Sequence, residues 1–192
     1  MPPKVKFTRE EIIAAALEIT REQGFSAVTA RGLGARLGSS AKPIFGLFQN
    51  MEEVQRETIR AADALWQSYL REDMASGKYP PYKASGMAYI RFAKEQRELF
   101  KLLFMRDRSR ETGEHTAEEF EPLISLIQKN TGISRDSAVL LHLEMWFYVH
   151  GIAAMIATAY SEWDEELISR ALTDGYLGIL ERHRKEEEHG SH

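Results

Sequence analysis

The chain has 192 residues, 43% of them hydrophobic and 28% charged, which is ordinary globular material and enough for one large or two small domains. With no Cys in it, disulfide frameworks, thiolate chemistry and Cys-ligated zinc are excluded. The net charge of -4 argues against a chain coated along its length in nucleic acid, yet the first 50 residues hold seven Lys/Arg against four Glu, a basic head ahead of an acidic remainder.

The N-terminus, Met-Pro-Pro-Lys-Val-Lys-Phe-Thr, has no apolar run of the kind a signal peptide needs. Thr8-Arg9-Glu10-Glu11 then forms a capping box that opens a helix with Ile12, Ile13, Ala16, Leu17 and Thr20 along one side. Gly24 ends it. Thr29 caps a short helix carrying Ala30, Leu33 and Leu37, and Gly38 breaks that helix. Ser39 or Ser40 caps a second short helix running through Phe48. Two short helices about a tight turn, flanked by Arg31, Arg36 and Lys42, fit a helix-turn-helix with its second helix in the DNA major groove. They fit two connector helices of an all-helical domain equally well. The core expected for this head is Ile13, Leu17, Phe25, Val28, Leu33, Leu37, Ile44 and Phe48. It is small enough to lean on the next helix along the chain.

Asn50, with Glu53 three residues later, starts a long helix to about Met74. It is either a rigid connector from head to body or a plain core helix. Residues 82–105 read as one or two helices rich in aromatic residues. Residues 106–119 read as a charged loop or a gate over a cavity, 119–130 as a further amphipathic helix, and Ser134 as the cap of the next. Residues 138–160 are the most apolar part of the chain. A membrane span needs about 20 apolar residues, and His142, Glu144 and His150 interrupt this one, so we read no membrane segment. A helix apolar nearly all round is buried on both sides, one against the core and one against a second subunit. The last helix, 164–184, repeats that pattern, so the last two helices of each of two chains form a four-helix homodimer interface. Strand-like alternation is absent and the chain reads as all-α. The expected division is a head at 1–49, a body at 50–187 and a disordered tail at 188–192.

The head resembles the TetR family of transcriptional regulators. The resemblance rests on the capped first helix ending in Gly24-Phe25, on Thr29-Ala30-Arg31-Gly32-Leu33, Gly38, Ser40 and Ile44-Phe45, and on Phe48-Gln49-Asn50-Met51-Glu52-Glu53-Val54. In the body, Trp146-Phe-Tyr-Val-His150-Gly151 is similar to a Trp-x-x-x-His-Gly pattern of one subgroup. The resemblance implies a cytoplasmic homodimer that binds a palindromic operator in double-stranded DNA, usually as a repressor. It also implies a cavity in each body whose small-molecule effector changes the spacing of the two heads. Carried onto this chain, the DNA contacts fall to Thr29, Arg31, Ser39, Ser40, Lys42, Pro43, Phe45, Gly46 and Gln49. Effector contacts fall to Trp66, Phe92, Phe100, Phe104, Trp146 and His150, each of which also reads as a core residue. The chain departs from the family at Phe45, where Tyr is usual, at Leu47, where Tyr or His is usual, and at Met51, where Lys is common. None of the three can reach a phosphate as those residues do. Pro43 also pushes Lys42 away from helical angles, so the second helix starts late.

No cofactor, metal or catalytic set is expected. His142 and His150 stand two helical turns apart, about 12 Å, too far to share one ion. His115 with Glu118 or Glu119 lacks further ligands. Two rivals to a DNA-binding regulator remain: a dimeric small-molecule-binding protein of the same fold with weak or lost DNA binding, and an all-helical enzyme using an apolar cavity.

Overall fold

The computed structural model describes residues 7–107 and 117–190. Among these residues the chain is all-helical and has no strand. The α-helices are α1 (Arg9–Gln23), α2 (Ala30–Arg36), α3 (Met51–Ala75), α4 (Pro81–Glu95), α5 (Arg97–Phe104), α6 (Ala117–Thr131), α7 (Arg135–Ala157) and α8 (Glu165–Gly190), with short 3-10 turns at Phe25–Ala27 and Ile44–Gly46. The capping signals act as expected. The Thr8 hydroxyl accepts from the Glu11 N–H and the Glu11 carboxylate accepts from the Thr8 N–H. Asn50 Oδ1 accepts from the Glu53 N–H at 2.9 Å, and Ser134 Oγ from the Ser137 N–H at 3.2 Å. Each satisfies a backbone donor that the first turn of a helix leaves unpaired.

The described residues divide into two compact units. One comprises 7–68 together with Glu95–Arg106; the other comprises Tyr69–Lys94, Asp107 and 117–190. The first unit takes in α5 and most of α3 because the head alone buries too little. Its central cluster is Ile12, Ala15, Ala16, Ile19, Val28, Leu33, Ile44, Phe48 and, from α3, Val54. The buried face of α1 is therefore the Ile12–Ile19 side, with Ile13 and Leu17 only half-buried, a rotation of the expected face. An α1 that is apolar over most of its circumference leaves the choice of face to its neighbours. α5 packs on α1, Arg21 Nε donates to Gln96 Oε1 at 2.9 Å, and Leu99 and Phe100 are fully buried.

The second unit is built on α4, α6, α7 and α8, with Phe92, Ile124, Ile127, Leu141, Ala153 and Ile156 buried in its centre. α8 runs on to Gly190, so residues 188–190, expected in a disordered tail, are helical. i,i+4 pairs such as Lys185 with Glu181 support this charged end. Of the charged stretch expected at 106–119, residues 108–116 lie outside the described residues, as does His115. α7 meets the length and composition of a membrane span, a test that a core helix of a soluble protein also passes.

Candidate nucleic-acid interface

The Thr29 hydroxyl accepts from the Gly32 N–H at 3.0 Å and so starts α2. α2 ends at Arg36, and Gly38 turns the chain with φ of +60°, a region a side chain enters only at a cost. The chain then folds back over α2: the Ser39 N–H donates to Gly34 O at 2.8 Å. A Cβ on Gly34 would lie 2.9 Å from Ser39 O, so glycine is what lets the returning segment pass this close.

The segment after this turn differs from the expected helix. Between Ser40 and Phe48 the only regular element is the 3-10 turn Ile44–Gly46, and no side-chain hydrogen bond caps it. Neither Ser39 nor Ser40 acts as a helix cap. Pro43 disfavours helical angles at the residue before it, and the Ile44 N–H bonds back to Ala41 O at 3.1 Å, a three-residue rather than a four-residue turn. The late start is as expected; the run to Phe48 as a helix is not. Buried Ile44 and Phe48 anchor the turn to the core.

This anchoring directs the other side chains outward. Thr29, Arg31, Ser40, Lys42, Phe45, Gly46 and Gln49 are exposed, while Ser39 and Pro43 are half-buried. Phe45 leaves 48% of its surface open, unusual for a side chain with no polar atom. Arg31 and Lys42 form no ion pair among the described residues. Arg36, the third basic residue of the expected flank, is engaged: its Nη1 donates to Glu22 Oε1 at 2.9 Å. That pairing holds the Glu22 carboxyl below the usual carboxylate range.

A residue missed in the sequence secures the far end of the turn. Arg9 Nη1 donates to Leu47 O at 2.5 Å, Nη2 donates to Glu53 Oε1 at 2.7 Å, and the guanidinium lies 4.0 Å from the centre of the Phe48 ring. The other Glu53 oxygen accepts from the Gln49 N–H at 2.6 Å. That backbone donor, and then Arg9, hold the Glu53 carboxyl below its ordinary range. Arg9 thus ties α1 to both sides of the Phe48–Asn50 link. The contact joins residues 38 positions apart, so no local pattern announces it.

The six residues expected to meet an effector fall into two sets. Trp66 and Phe100 both pack on Phe104 in the first unit, at ring distances of 5.8 and 5.1 Å. In the second unit Trp146 stands 6.1 Å from His150, while Phe92 is fully buried and packs edge-on to Tyr69 at 5.2 Å. An open surface depression lies along α8 between Gly178 and His189, and none of the six lines it. No group of three or more His, Asp or Glu able to hold a metal occurs among the described residues.

Residues 12–58 match the family model described as bacterial regulatory proteins, tetR family, and residues 82–174 match the tetracyclin repressor-like C-terminal domain. No curated protein matches the chain. Solved structures share its fold. A TetR-like transcriptional regulator from Rhodococcus sp. RHA1 is 15% identical with a TM-score of 0.64, over 91% of this chain and 94% of that one. A TetR variant from Acinetobacter baumannii AYE, in complex with minocycline, is 19% identical with a TM-score of 0.52, over 93% of this chain and 97% of that one. Helix-turn-helix head and helical body are each matched, in the family's order and over most of the chain, and the protein belongs to the TetR family of transcriptional regulators.

Proposed function

We propose that the protein is a homodimeric repressor which grips a palindromic operator with two copies of the 29–49 segment and is released by a small, largely apolar effector. The observation that carries this reading is the outward presentation of Arg31, Lys42, Ser40, Thr29 and Gln49 around a turn that Ile44 and Phe48 anchor inward. Basic side chains there suit phosphates, and the exposed Phe45 with half-buried Pro43 suits thymine methyl groups.

Dimerisation through α7 and α8 is supported by Leu140, Leu143 and Phe147, spaced three and four apart on α7 and all exposed, with Leu177 exposed on α8. A monomer that left this stripe in water would be prone to association. Two heads engage two half-sites only when their spacing matches successive major-groove faces, about 34–36 Å or a multiple. An effector that prefers another spacing lowers DNA affinity by the ratio of its affinities for the two states. On this reading the body belongs to the Trp-x-x-x-His-Gly subgroup through Trp146, His150 and Gly151, and the protein works in the cytoplasm. The family's domains point to a regulator rather than an enzyme.

Phe45 and Leu47 favour a second reading, a small-molecule-binding dimer with weakened DNA recognition, since neither donates a hydrogen bond. Selection from random duplexes decides between the two. A recovered palindrome, bound less tightly as salt rises, is the expected result; no enrichment at low salt refutes the repressor. In the same assay Lys42→Ala reduces affinity and lowers the salt slope by about 1 without changing the melting temperature. Unchanged affinity at matched salt removes Lys42 from the interface.

A further inference from the structure

In the second unit, two tyrosines of α4 bond two histidines of α7. Tyr82 Oη lies 3.1 Å from His142 Nδ1, and Tyr89 Oη lies 2.9 Å from His150 Nδ1. The His142 pair stands out for what its other nitrogen does: His142 Nε2 is shut off from solvent and has no hydrogen-bond partner among the described residues. Buried polar atoms are nearly always satisfied, so an orphan needs an account.

The proton assignment comes from counting. If Tyr82 donates to Nδ1, a neutral His142 carries its proton on Nε2 and one donor is unsatisfied. If Nδ1 donates to Tyr82, the hydroxyl proton and the Nε2 lone pair are both orphaned. The first costs less. Burial also favours the neutral ring, lowering the His142 pKa. The atom is therefore an N–H donor in an apolar setting. The rings about it are Phe120 of α6 at 4.9 Å and Tyr82 at 5.9 Å, with Tyr176 of α8 a further 5.6 Å from Tyr82. Unlike the core rings Phe92 and Phe100, which are fully buried, these three rings and His142 itself are only half-buried.

We infer that this cluster is an effector subsite that takes a flat, uncharged ring compound through one carbonyl oxygen, which accepts the hydrogen bond from His142 Nε2. The inference rests on the effector reading above and adds to it the orienting residue and the ligand chemistry. A carboxylate is disfavoured because the ring is neutral and no cation is paired with it. The site differs from that at His150, whose polar contacts are not the basis of this proposal.

Acetophenone and ethylbenzene are the probes, alike in shape and differing by the carbonyl. Calorimetry on the full chain gives the ratio of their affinities for the wild type and for His142→Phe. The ratio falls about tenfold in His142→Phe, the worth of one buried hydrogen bond. Should His142→Phe not fold, the nitrogen-15 resonance of His142 Nε2 in the wild type reports the same contact and shifts with acetophenone, not with ethylbenzene. An unchanged ratio, or a resonance that neither probe moves, overturns the subsite and leaves Nε2 bonded to a water only. DNA retention measured alongside separates the two ideas. Acetophenone bound through His142 without any loss of DNA upholds the site and defeats its effector role, whereas release by a compound indifferent to His142→Phe defeats the site and keeps the effector reading.

Discussion

Replacing Gly46 by Ala separates the demands of the fold from those of DNA. Gly46 ends the 3-10 turn, and its φ is not in the left-handed region where Gly24, Gly38, Gly77 and Gly132 lie. A Cβ built on it meets no atom within 4 Å. The folded protein therefore accepts a methyl group, while the unfolded chain loses conformational freedom, so Gly46→Ala stabilises by about 0.4–1 kcal/mol. The glycine is useful only if something outside the chain approaches that backbone. Beside the exposed Phe45, a DNA strand in close contact would have to accommodate the methyl at about 1–3 kcal/mol, the usual cost of overfilling a packed surface. This corresponds to roughly tenfold to a hundredfold weaker binding. Denaturant unfolding gives the first number from the shift in midpoint at constant slope. Fluorescence anisotropy with a selected duplex at matched salt gives the second. A destabilised Gly46→Ala refutes the reading of the turn, and a stabilised variant with undiminished DNA affinity removes Gly46 from the interface.

Gly34→Ala acts in the opposite sense. Ala gains about 1 kcal/mol of helix propensity, but its Cβ would press on the backbone oxygen of Ser39 at 2.9 Å, and overpacking of about 1–3 kcal/mol outweighs the gain; a raised melting temperature would contradict this. Phe147→Glu places a charge in the exposed stripe of α7, so sedimentation should show monomers where the wild type shows dimers, and an intact dimer at equal concentration would move the interface elsewhere. Burial lowers the pKa of His142 and of His150 below the ordinary imidazole value of 6.5. The unfolded state then binds more protons as pH falls below 6.5, and stability declines toward the folded-state pKa. The melting temperature of the wild type should fall over that range and that of His142→Phe should fall less; parallel curves would show that His142 does not contribute.

Much of the architecture is legible because it is local. Thr8, Asn50 and Ser134 cap helices within three residues of themselves, so their sequence signals carry directly into structure. Anchoring residues such as Leu33, Ile44 and Phe48 are legible for a related reason: between short polar turns, few other apolar side chains are available to fill the head. Contacts spanning the chain are not legible. The Arg9 tie to Leu47 and Glu53, the recruitment of α5 to the head and the pairing of Tyr82 with His142 each join residues far apart, and nothing in the local pattern selects one partner over another. The buried face of α1 shows the same limit within a single helix, because Ile12, Ile13, Leu17 and Ile19 leave two faces comparably apolar.

For the 29–49 segment, the amino-acid pattern by itself determined a capped first helix, a glycine turn and, through Pro43, a delayed start to the second element. Each of these depends on the φ preferences and hydrogen-bonding groups of neighbouring residues. Only the tertiary structure decided that this second element is a single 3-10 turn, that Arg36 is occupied by Glu22 while Arg31 and Lys42 form no ion pair among the described residues, and that Phe45 points outward. Those outcomes depend on which distant groups reach each side chain first, a competition for burial and charge that is resolved when the core closes around Ile44 and Phe48.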